Sequence, residues 1–266
     1  MASEGPRTDW NAAVYDRIGT PMRGWAKQVI DDLHLHGDET VLDAGCGSGS
    51  VTLDLLEKLP RGKIYAVDSS PDMTANLEKT LAERGITNVI PICASLTDFT
   101  LPEKVDAVFS NAVFHWVPDD DGLFGSLARA TKPGGRLRAQ CGGNGNIARL
   151  REATLEVEKR APYSEYLSGD SEFRKYRTVE EARAAMERNG WTEVRGDLFE
   201  APVAFGDQAQ AALYLRTIIL QQQVAVLPED LSESFLRDVV AETVERFGAP
   251  FRADYVRLDL WATRAG

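Results

Sequence analysis

The chain has 266 residues, of which 43% are hydrophobic and 27% are charged, so it is long enough for one large α/β domain with an insertion. The formal net charge of −11 argues against nucleic acid as a partner, because binding a phosphate backbone requires clustered Lys and Arg. The three cysteines, Cys46, Cys93 and Cys141, share no C-x-x-C spacing and predict neither disulfides nor a metal site. No apolar run approaches the length of a membrane span, and the N-terminus carries no apolar leader, which favours a cytoplasmic protein without a membrane partner.

The first half of the chain alternates between short β-type runs and amphipathic helical stretches. Strands are predicted at 40–43, 63–67, 89–93, 105–110 and 136–141, helices at 51–59, 73–84 and 123–130, and a turn at 132–135. This alternation is typical of right-handed βαβ units that build a parallel sheet.

The pattern changes after a cluster of breakers at residues 142–145. Helices are predicted at 147–160, 179–189, 207–226 and 231–247, and strands at 191–200 and 255–262, with a loop-rich aromatic segment at 161–176. Three regions follow from this: N-terminal helices at 1–36, a nucleotide-type core at 37–141, and the remainder at 142–266. The remainder is predicted to hold helical cover segments at about 142–177 and 203–250, and the last core elements at about 178–200 and 255–262.

A glycine-rich loop follows the first predicted strand. The strand ends in Asp43, and Gly45, Gly47 and Gly49 then lead into a helix, an arrangement that holds a nucleotide-like ligand at the carboxyl ends of strands. Glycines let the backbone turn tightly and let a ligand approach it, although glycines that only pack a strand against a helix are the simpler alternative. Asp68, at the end of the second strand, can accept hydrogen bonds from both hydroxyls of a ribose. Taken alone, Asp68 is equally compatible with a helix cap or a surface residue.

Two residues of this region indicate what the ligand carries besides a nucleoside. Ser50 stands where the dinucleotide pattern G-x-G-x-x-G has its third glycine, which disfavours an NAD-dependent oxidoreductase. Asp43 would repel a pyrophosphate and attract an ammonium group. The predicted ligand is therefore an adenosine with a cationic or zwitterionic tail, a description that S-adenosylmethionine meets.

Three stretches resemble motifs of the class I S-adenosylmethionine-dependent methyltransferases: "VLDAGCGSG", "AVDSSPDM" and "KPGGRL", together covering about residues 37–141. The resemblance implies a Rossmann-like, doubly wound α/β sheet of seven strands with the last one antiparallel, helices on both faces, and a helical cover built from insertions. It implies Asp43 near the amino-acid end of the cofactor, Asp68 on the ribose and Met73 near the adenine. The other motif residues expected at the cofactor are Ala44, Gly45, Cys46, Gly47 and Ser69; no metal is expected.

The resemblance implies two further cofactor contacts. The first departs from the pattern of the family, and the second has an alternative interpretation. The loop after the third strand of the family usually supplies an acid to the adenine amino group, but Ser95 stands there. We expect Ser95 and the backbone amide of Leu96 to replace it, or Asp98 to reach in. The N-terminal "WNAAVY" resembles the lead-in of the same family, in which Tyr15 would form a wall for both cofactor and substrate; a tyrosine that only packs is the alternative.

The segment "NAVFHW" resembles small-acid carboxyl methyltransferases of the trans-aconitate, malonyl-carrier-protein and juvenile-hormone-acid types. The resemblance implies that Asn111 and Ala112 lie against the methionine portion and that His115 and Trp116 face the acceptor, unless both aromatic side chains only pack. His115 is the predicted catalytic residue, as a base for a hydroxyl or amine or as a positioning group. A carboxylate acceptor is already ionised at pH 7 and needs no base.

Two residues of the predicted cover complete the candidate substrate site, Tyr163 and Arg216. Arg216 lies in the apolar context "LYLRTIIL" and could pair with a substrate carboxylate through both of its terminal nitrogens. A surface arginine with a buried aliphatic stem is the competing interpretation.

The sequence thus predicts an S-adenosylmethionine-dependent methyltransferase acting on a small molecule, with direct in-line transfer to a carboxylate or hydroxyl oxygen favoured. An N- or C-methyltransferase of a small metabolite is the alternative, since the fold permits it equally. An NAD-dependent oxidoreductase and a protein that only senses the cofactor are more distant alternatives. The sequence does not distinguish a monomer from a homodimer.

Overall fold

The computed structural model describes residues 20–167 and 174–266, so Tyr15 lies outside the described residues. The chain divides into two compact units. The sheet unit comprises residues 20–144, Arg174–Phe199 and Arg257–Gly266, and the helical unit contains residues 145–167 and Glu200–Val256. Within the described ranges, no helix is both long and apolar enough to cross a membrane.

The sheet unit is built on seven strands. These are β1 (Thr40–Ala44), β2 (Lys63–Asp68), β3 (Val89–Cys93), β4 (Val105–Asn111), β5 (Thr131–Gly142), β6 (Trp191–Glu200) and β9 (Val256–Arg264). Their order is β3-β2-β1-β4-β5-β9-β6; the first five are parallel, and β9 runs antiparallel to β5. The predicted doubly wound sheet with an antiparallel last strand is therefore confirmed. The strand order reverses between β1 and β4, and such a switch point opens a crevice for a ligand.

Five helices belong to the sheet unit: α1 (Thr20–Asp31), α2 (Ser50–Leu56), α3 (Pro71–Arg84), α4 (Asp120–Ala130) and α6 (Val179–Arg188). Side-chain hydrogen bonds cap the first turn of two of these helices. The Ser70 side chain accepts the Met73 N–H at the start of α3, and Thr178 and Glu181 form a reciprocal capping box on α6. Successive strand residues point to opposite faces of the sheet. Val41 belongs to one buried apolar cluster and Leu42 to another, so both faces of the sheet are buried.

The helical unit contains α5 (Ala148–Glu158), α7 (Gln208–Tyr214), α8 (Gln221–Val226) and α9 (Glu229–Phe247), with a short pair of strands, β7 (Val203–Ala204) and β8 (Arg252–Ala253). The single helix predicted at 207–226 is wrong. A π-helical turn at Leu215–Ile219 interrupts it, and the backbone then leaves helical geometry at Leu220. The turn predicted at 132–135 lies instead within β5, where the pairing with β4 shifts its register between Thr131 and Arg136.

The loop between β1 and α2 contains three glycines, and their surroundings show which of them the packing of the protein requires. A Cβ on Gly49 would lie 2.3 Å from Leu77 Cδ1, and Leu77 is completely buried. A Cβ on Gly45 would lie 2.3 Å from Val113 Cγ2. At Gly47 no atom of the described residues lies within 4 Å of the added Cβ. Gly45 and Gly49 are therefore required by the protein's own packing, and Gly47 alone of the three faces open space.

We expect Gly49→Ala to lower the free energy of unfolding by roughly 2–4 kcal/mol, because it combines overpacking with a positive φ of 88°. Gly47→Ala, whose φ is 53°, meets no neighbour and should cost only about 1 kcal/mol. Urea unfolding of both variants checks the difference. Equal losses of stability would contradict the packing role of Gly49.

Candidate functional site

Polar groups gather at the carboxyl edge of the parallel sheet, where β1, β2, β4 and β5 end. The glycine loop is tied to this edge because Gly45 and Cys46 both donate their backbone N–H to Val67 O, at 2.8 and 3.1 Å. Gly47 N donates to Asp68 Oδ2 at 2.9 Å. Motif residues that are 21 positions apart are therefore in direct contact, as the ligand-binding prediction requires.

Asp43 is a buried carboxyl near the end of β1, with 2% of its surface exposed. Thr52, in the first turn of α2, donates its hydroxyl to Asp43 Oδ2 at 2.7 Å. Burial raises the pKa of Asp43 to about 7, with a smaller push from the nearby Asp68 carboxylate, and the Thr52 hydrogen bond works in the opposite direction. A cation that binds beside Asp43 would stabilise the ionised form of this carboxyl, which burial disfavours.

Asp68 lies at the end of β2 and is anchored by the backbone. Oδ1 accepts from Ser70 N and Oδ2 accepts from Gly47 N, both at 2.9 Å. Burial raises the pKa of this carboxyl, and the backbone hydrogen bonds oppose the rise. Each carboxylate oxygen has about two acceptor positions, so each can take a further donor such as a ribose hydroxyl.

The other predicted cofactor residues differ in exposure. Ala44, Cys46, Met73 and Leu96 are buried, whereas Ser69 and Ser95 are exposed. The Ser95 hydroxyl is hydrogen-bonded to Thr97 Oγ1 at 2.8 Å and also receives the Thr97 N–H at 3.2 Å. Ser95 therefore orders its own loop, and Asp98 is exposed on the same loop.

Asn111 and Ala112 end β4 beside the glycine loop. Ala112 has a φ of 62°, which is uncommon for a residue with a Cβ, and its N–H donates to Gln140 O at 2.7 Å. This hydrogen bond ties the end of β4 to β5 and directs the chain into a short 3₁₀ turn, Phe114–Trp116. Strained backbone of this kind is concentrated at functional sites, where the surrounding structure holds it in place.

His115 is buried in that turn, and its tautomer follows from one contact. Gly142 N donates to His115 Nδ1 at 3.2 Å. Because a backbone N–H can only donate, Nδ1 is the acceptor, and the proton of the neutral ring is on Nε2. Burial and the neighbouring cations Arg257, Arg174 and Arg177 hold the pKa of His115 well below 6.5. At neutral pH, His115 is thus a neutral hydrogen-bond donor through Nε2.

Cations and aromatic rings surround His115. Tyr176 stacks on its ring with centroids 5.8 Å apart, and the Arg174 guanidinium lies 4.4 Å from the centre of the Trp116 ring. Arg177 is engaged, since it donates to Phe114 O, Val117 O and Asp120. The Arg257 guanidinium lies 4.5 Å from the centre of the Trp25 ring on α1. A protein with a net charge of −11 therefore carries a locally positive region here.

Arg174 and Arg257 were not among the predicted site residues. One feature of the sequence pointed to Arg257, namely its position inside the alternating strand predicted at 255–262. An arginine that is fully buried in a strand requires partners. Sequence spacing gives no indication that this strand lies beside β5. Arg174 offered no signal beyond its charge, since it lies in a stretch predicted as loop.

Tyr163 and Arg216 belong to the helical unit, where each has a partner. Tyr163 is buried, packs its ring edge-on against Phe235 and donates its hydroxyl to Asp238 at 2.7 Å. Arg216 lies in the π-helical turn and pairs with Glu233 at 2.7 Å. Their roles toward a substrate remain predictions.

Comparison with known proteins agrees with this geometry. Residues 41–135 match the model of a methyltransferase domain. Trans-aconitate 2-methyltransferase of Rhodopseudomonas palustris is 30% identical over 167 residues, covering 62% of each chain. Malonyl-[acyl-carrier protein] O-methyltransferase 1 of Ilyobacter polytropus is 27% identical over 157 residues, covering 58% of this chain and 57% of that protein. The chain thus spans about three fifths of the length of these two curated relatives.

The fold is also found among solved structures. The YcgJ protein of Bacillus subtilis superposes with a TM-score of 0.63 at 15% identity, covering 91% of this chain and 98% of that one. At 15% identity, this similarity shows a shared fold and nothing further. The family model covers the strands and loops that carry Asp43, Asp68 and Asn111, so the sequence match and the geometry concern the same region. Residues 41–135 thus match a methyltransferase domain, within a sheet unit that has the Rossmann-like fold of class I S-adenosylmethionine-dependent methyltransferases.

Proposed function

We propose that this protein transfers the methyl group of S-adenosylmethionine to a carboxylate oxygen of a small organic acid. The observation that carries the proposal is His115, a neutral Nε2–H donor among arginines. Such a group suits an acceptor that is an anion and has no proton to lose. Two similar curated proteins are named as methyltransferases of trans-aconitate and of malonyl-[acyl-carrier protein], and both of these acceptors carry a carboxylate.

The residues at the carboxyl edge fit the cofactor. Among the described residues, none occupies the space beside Gly47, which leaves room for a ligand against the loop backbone. Asp43 offers a buried carboxylate to an ammonium group, and Asp68 offers its remaining acceptor positions to the ribose hydroxyls. When bound, S-adenosylmethionine supplies an electrophilic methyl group on a positively charged sulfur.

The residues on the acceptor side would hold and orient the acid. The cations around His115 favour the ionised form of a carboxylic acid. The His115 Nε2–H can donate to one carboxylate oxygen, which leaves the other oxygen to attack the methyl carbon in line with the departing sulfur. The reaction then needs alignment and exclusion of water but no general base.

A base-assisted transfer to a hydroxyl or amine is the runner-up. It would require His115 to accept a proton, yet Nδ1 already accepts from Gly142, and Nε2 carries a hydrogen. The positive surroundings, which lower the pKa of His115, also weaken it as a base. These observations favour the carboxylate.

We expect Asp68→Asn to weaken the binding of S-adenosylhomocysteine, the demethylated product, roughly 10- to 100-fold, because the neutral amide accepts hydrogen bonds less strongly than a carboxylate. Asp72→Asn, an exposed change four residues further on at the start of α3, is the matched control and should bind normally. Isothermal titration calorimetry measures both. Tight binding of NAD, with no response to S-adenosylhomocysteine, would overturn the proposed cofactor.

The affinity for S-adenosylhomocysteine should rise with pH between 5.5 and 7. The raised pKa of Asp43, about 7, means that this carboxyl is mostly protonated at the lower end of that range, whereas the ammonium of the ligand requires the ionised form. The dissociation constant should therefore fall up to about tenfold per pH unit below 7 and level off above it.

Two variants identify Asp43 as the source of that pH dependence. Thr52→Val removes the hydroxyl that favours the ionised form, so the rise in affinity should move to higher pH. Asp43→Asn should bind more weakly and lose most of the pH dependence. A slope that persists unchanged in Asp43→Asn would assign it to another group.

The acceptor is tested by measuring methyl transfer to matched carboxylic acids, alcohols and amines at saturating S-adenosylmethionine. We expect methyl esters from the acids and a rate that is flat between pH 7 and 9, since the acid is ionised and His115 neutral throughout. His115→Ala should lower kcat/KM about tenfold, and His115→Gln, which keeps an N–H donor, should retain most of it. A rate that rises with pH for an alcohol, abolished equally by both variants, would establish the base-assisted reaction instead.

A further inference from the structure

A buried row of polar side chains lies on one face of the paired strands β5 and β9. The register places Gly142 opposite Arg257, Gln140 opposite Asp259, and Arg138 opposite Trp261. Alternation along each strand directs these side chains to the same face of the sheet. Arg138, Gln140, Arg257 and Asp259 are each at least 96% buried.

The four residues form a continuous hydrogen-bonded chain that reaches α1. Arg257 Nε donates to Gln140 Oε1 at 3.3 Å, and Gln140 Nε2 donates to Asp259 Oδ1 at 2.7 Å. The other oxygen of Asp259 accepts from Arg138 Nη2 at 3.0 Å. Arg138 also donates through Nε and Nη2 to Asp32 Oδ2, at 3.1 and 2.9 Å. We call Gln140, Asp259, Arg138 and Asp32 the relay.

The relay holds the Arg257 guanidinium in one orientation. Gln140 fixes its Nε, and the Trp25 ring covers the group at 4.5 Å. The Gln140 amide is itself oriented, because its nitrogen donates to Asp259 and its oxygen must then face Arg257. A planar donor that is held in place before binding loses little entropy when it meets an anion.

Arg257 lies close to His115, the residue that the proposed function places against the acceptor. Its strand partner Gly142 is the residue that donates to His115 Nδ1, and its charge is among those that lower the pKa of His115. Gly142 has no side chain to separate the two. The guanidinium and the imidazole are therefore neighbours, held by the same strand pair.

We propose that Arg257 binds a second, non-reacting anionic group of the acceptor, and that the relay positions its guanidinium for this. The proposal rests on the proposed function. An arginine bound bidentately to the reacting carboxylate would engage both oxygens, and neither would be free to attack. His115 is enough to orient the reacting group, so Arg257 serves another anion on the same molecule. The acceptor class is then an acid with at least two anionic groups.

Calorimetry on the full chain loaded with S-adenosylhomocysteine tests this directly. The probes are succinate, glutarate and trans-aconitate, with propanoate, butanoate and crotonate as partners that carry one carboxylate. We expect at least one polyanionic acid to bind more tightly than its monoanionic partner. Arg257→Gln should weaken the polyanionic acid roughly 10- to 100-fold and change the monoanionic acids little. Arg257→Lys, which keeps the charge, should recover part of the loss.

The relay is tested by Asp259→Asn and Asp32→Asn, each of which removes one carboxylate without changing side-chain size. We expect each to weaken the polyanionic acid about fivefold and to leave the affinity for S-adenosylhomocysteine unchanged. In turnover, the effect should fall on KM for the acid more than on kcat. A residue with only a structural role would lower the melting temperature without this selective loss. Arg136→Gln, also on β5 but paired with Glu39, is the matched control.

Several outcomes would overturn the proposal. They are equal binding of both acid classes, equal weakening of both classes in Arg257→Gln, and no binding by any probe. The proposed function fails by a different result: an acid that binds through Arg257 but is never methylated. Circular dichroism and thermal unfolding of each variant identify changes that only prevent folding, in which case Arg257→Lys carries the test.

Discussion

The pairing of β9 with β5 is the contact on which the acceptor side of this site depends. It brings residues 257–263 beside residues 136–142, more than a hundred positions earlier in the chain. Because side chains alternate across a strand, this register places Arg257 and Asp259 on one face with Gln140. A slip of one residue would turn both side chains away from Gln140. Burial of apolar side chains on the opposite face of the strands therefore fixes the site as well as the register of the sheet.

Two groups of charged side chains, opposite in sign, lie in the sheet unit. Asp43 and Asp68 make the glycine-loop side negative, and Arg174 and Arg257 make the His115 side positive. The cationic methyl donor and the anionic acceptor of the proposed reaction would each be attracted to the side of opposite charge. The proposed reaction converts a sulfonium and a carboxylate into a thioether and an ester, so both charges disappear. A buried site therefore favours the products over the separated ions.

Much of the cofactor side could be predicted from the sequence because its determinants are local. The end of β1, the glycine loop and the end of β2 lie within the 26 residues from Asp43 to Asp68. A parallel βαβ unit has one favoured hand, so the two carboxyl groups had to meet at the same edge. The reason for the glycines was only partly predictable. Ligand approach remains the predicted reason for Gly47, whereas Gly45 and Gly49 are required by contacts with Val113 and Leu77, which only the folded chain brings close.

By itself, the sequence determined the parallel core, the position of the loop and the preference for a ligand with a positive tail, since strand period, glycine spacing and local charge suffice for these. Only the tertiary structure decided that Gly142 sets the tautomer of His115 and that Arg257 becomes its neighbour. Both depend on strand pairing over long sequence separations and on burial, which removes water as the competing partner. Residue spacing along the chain carries neither kind of information.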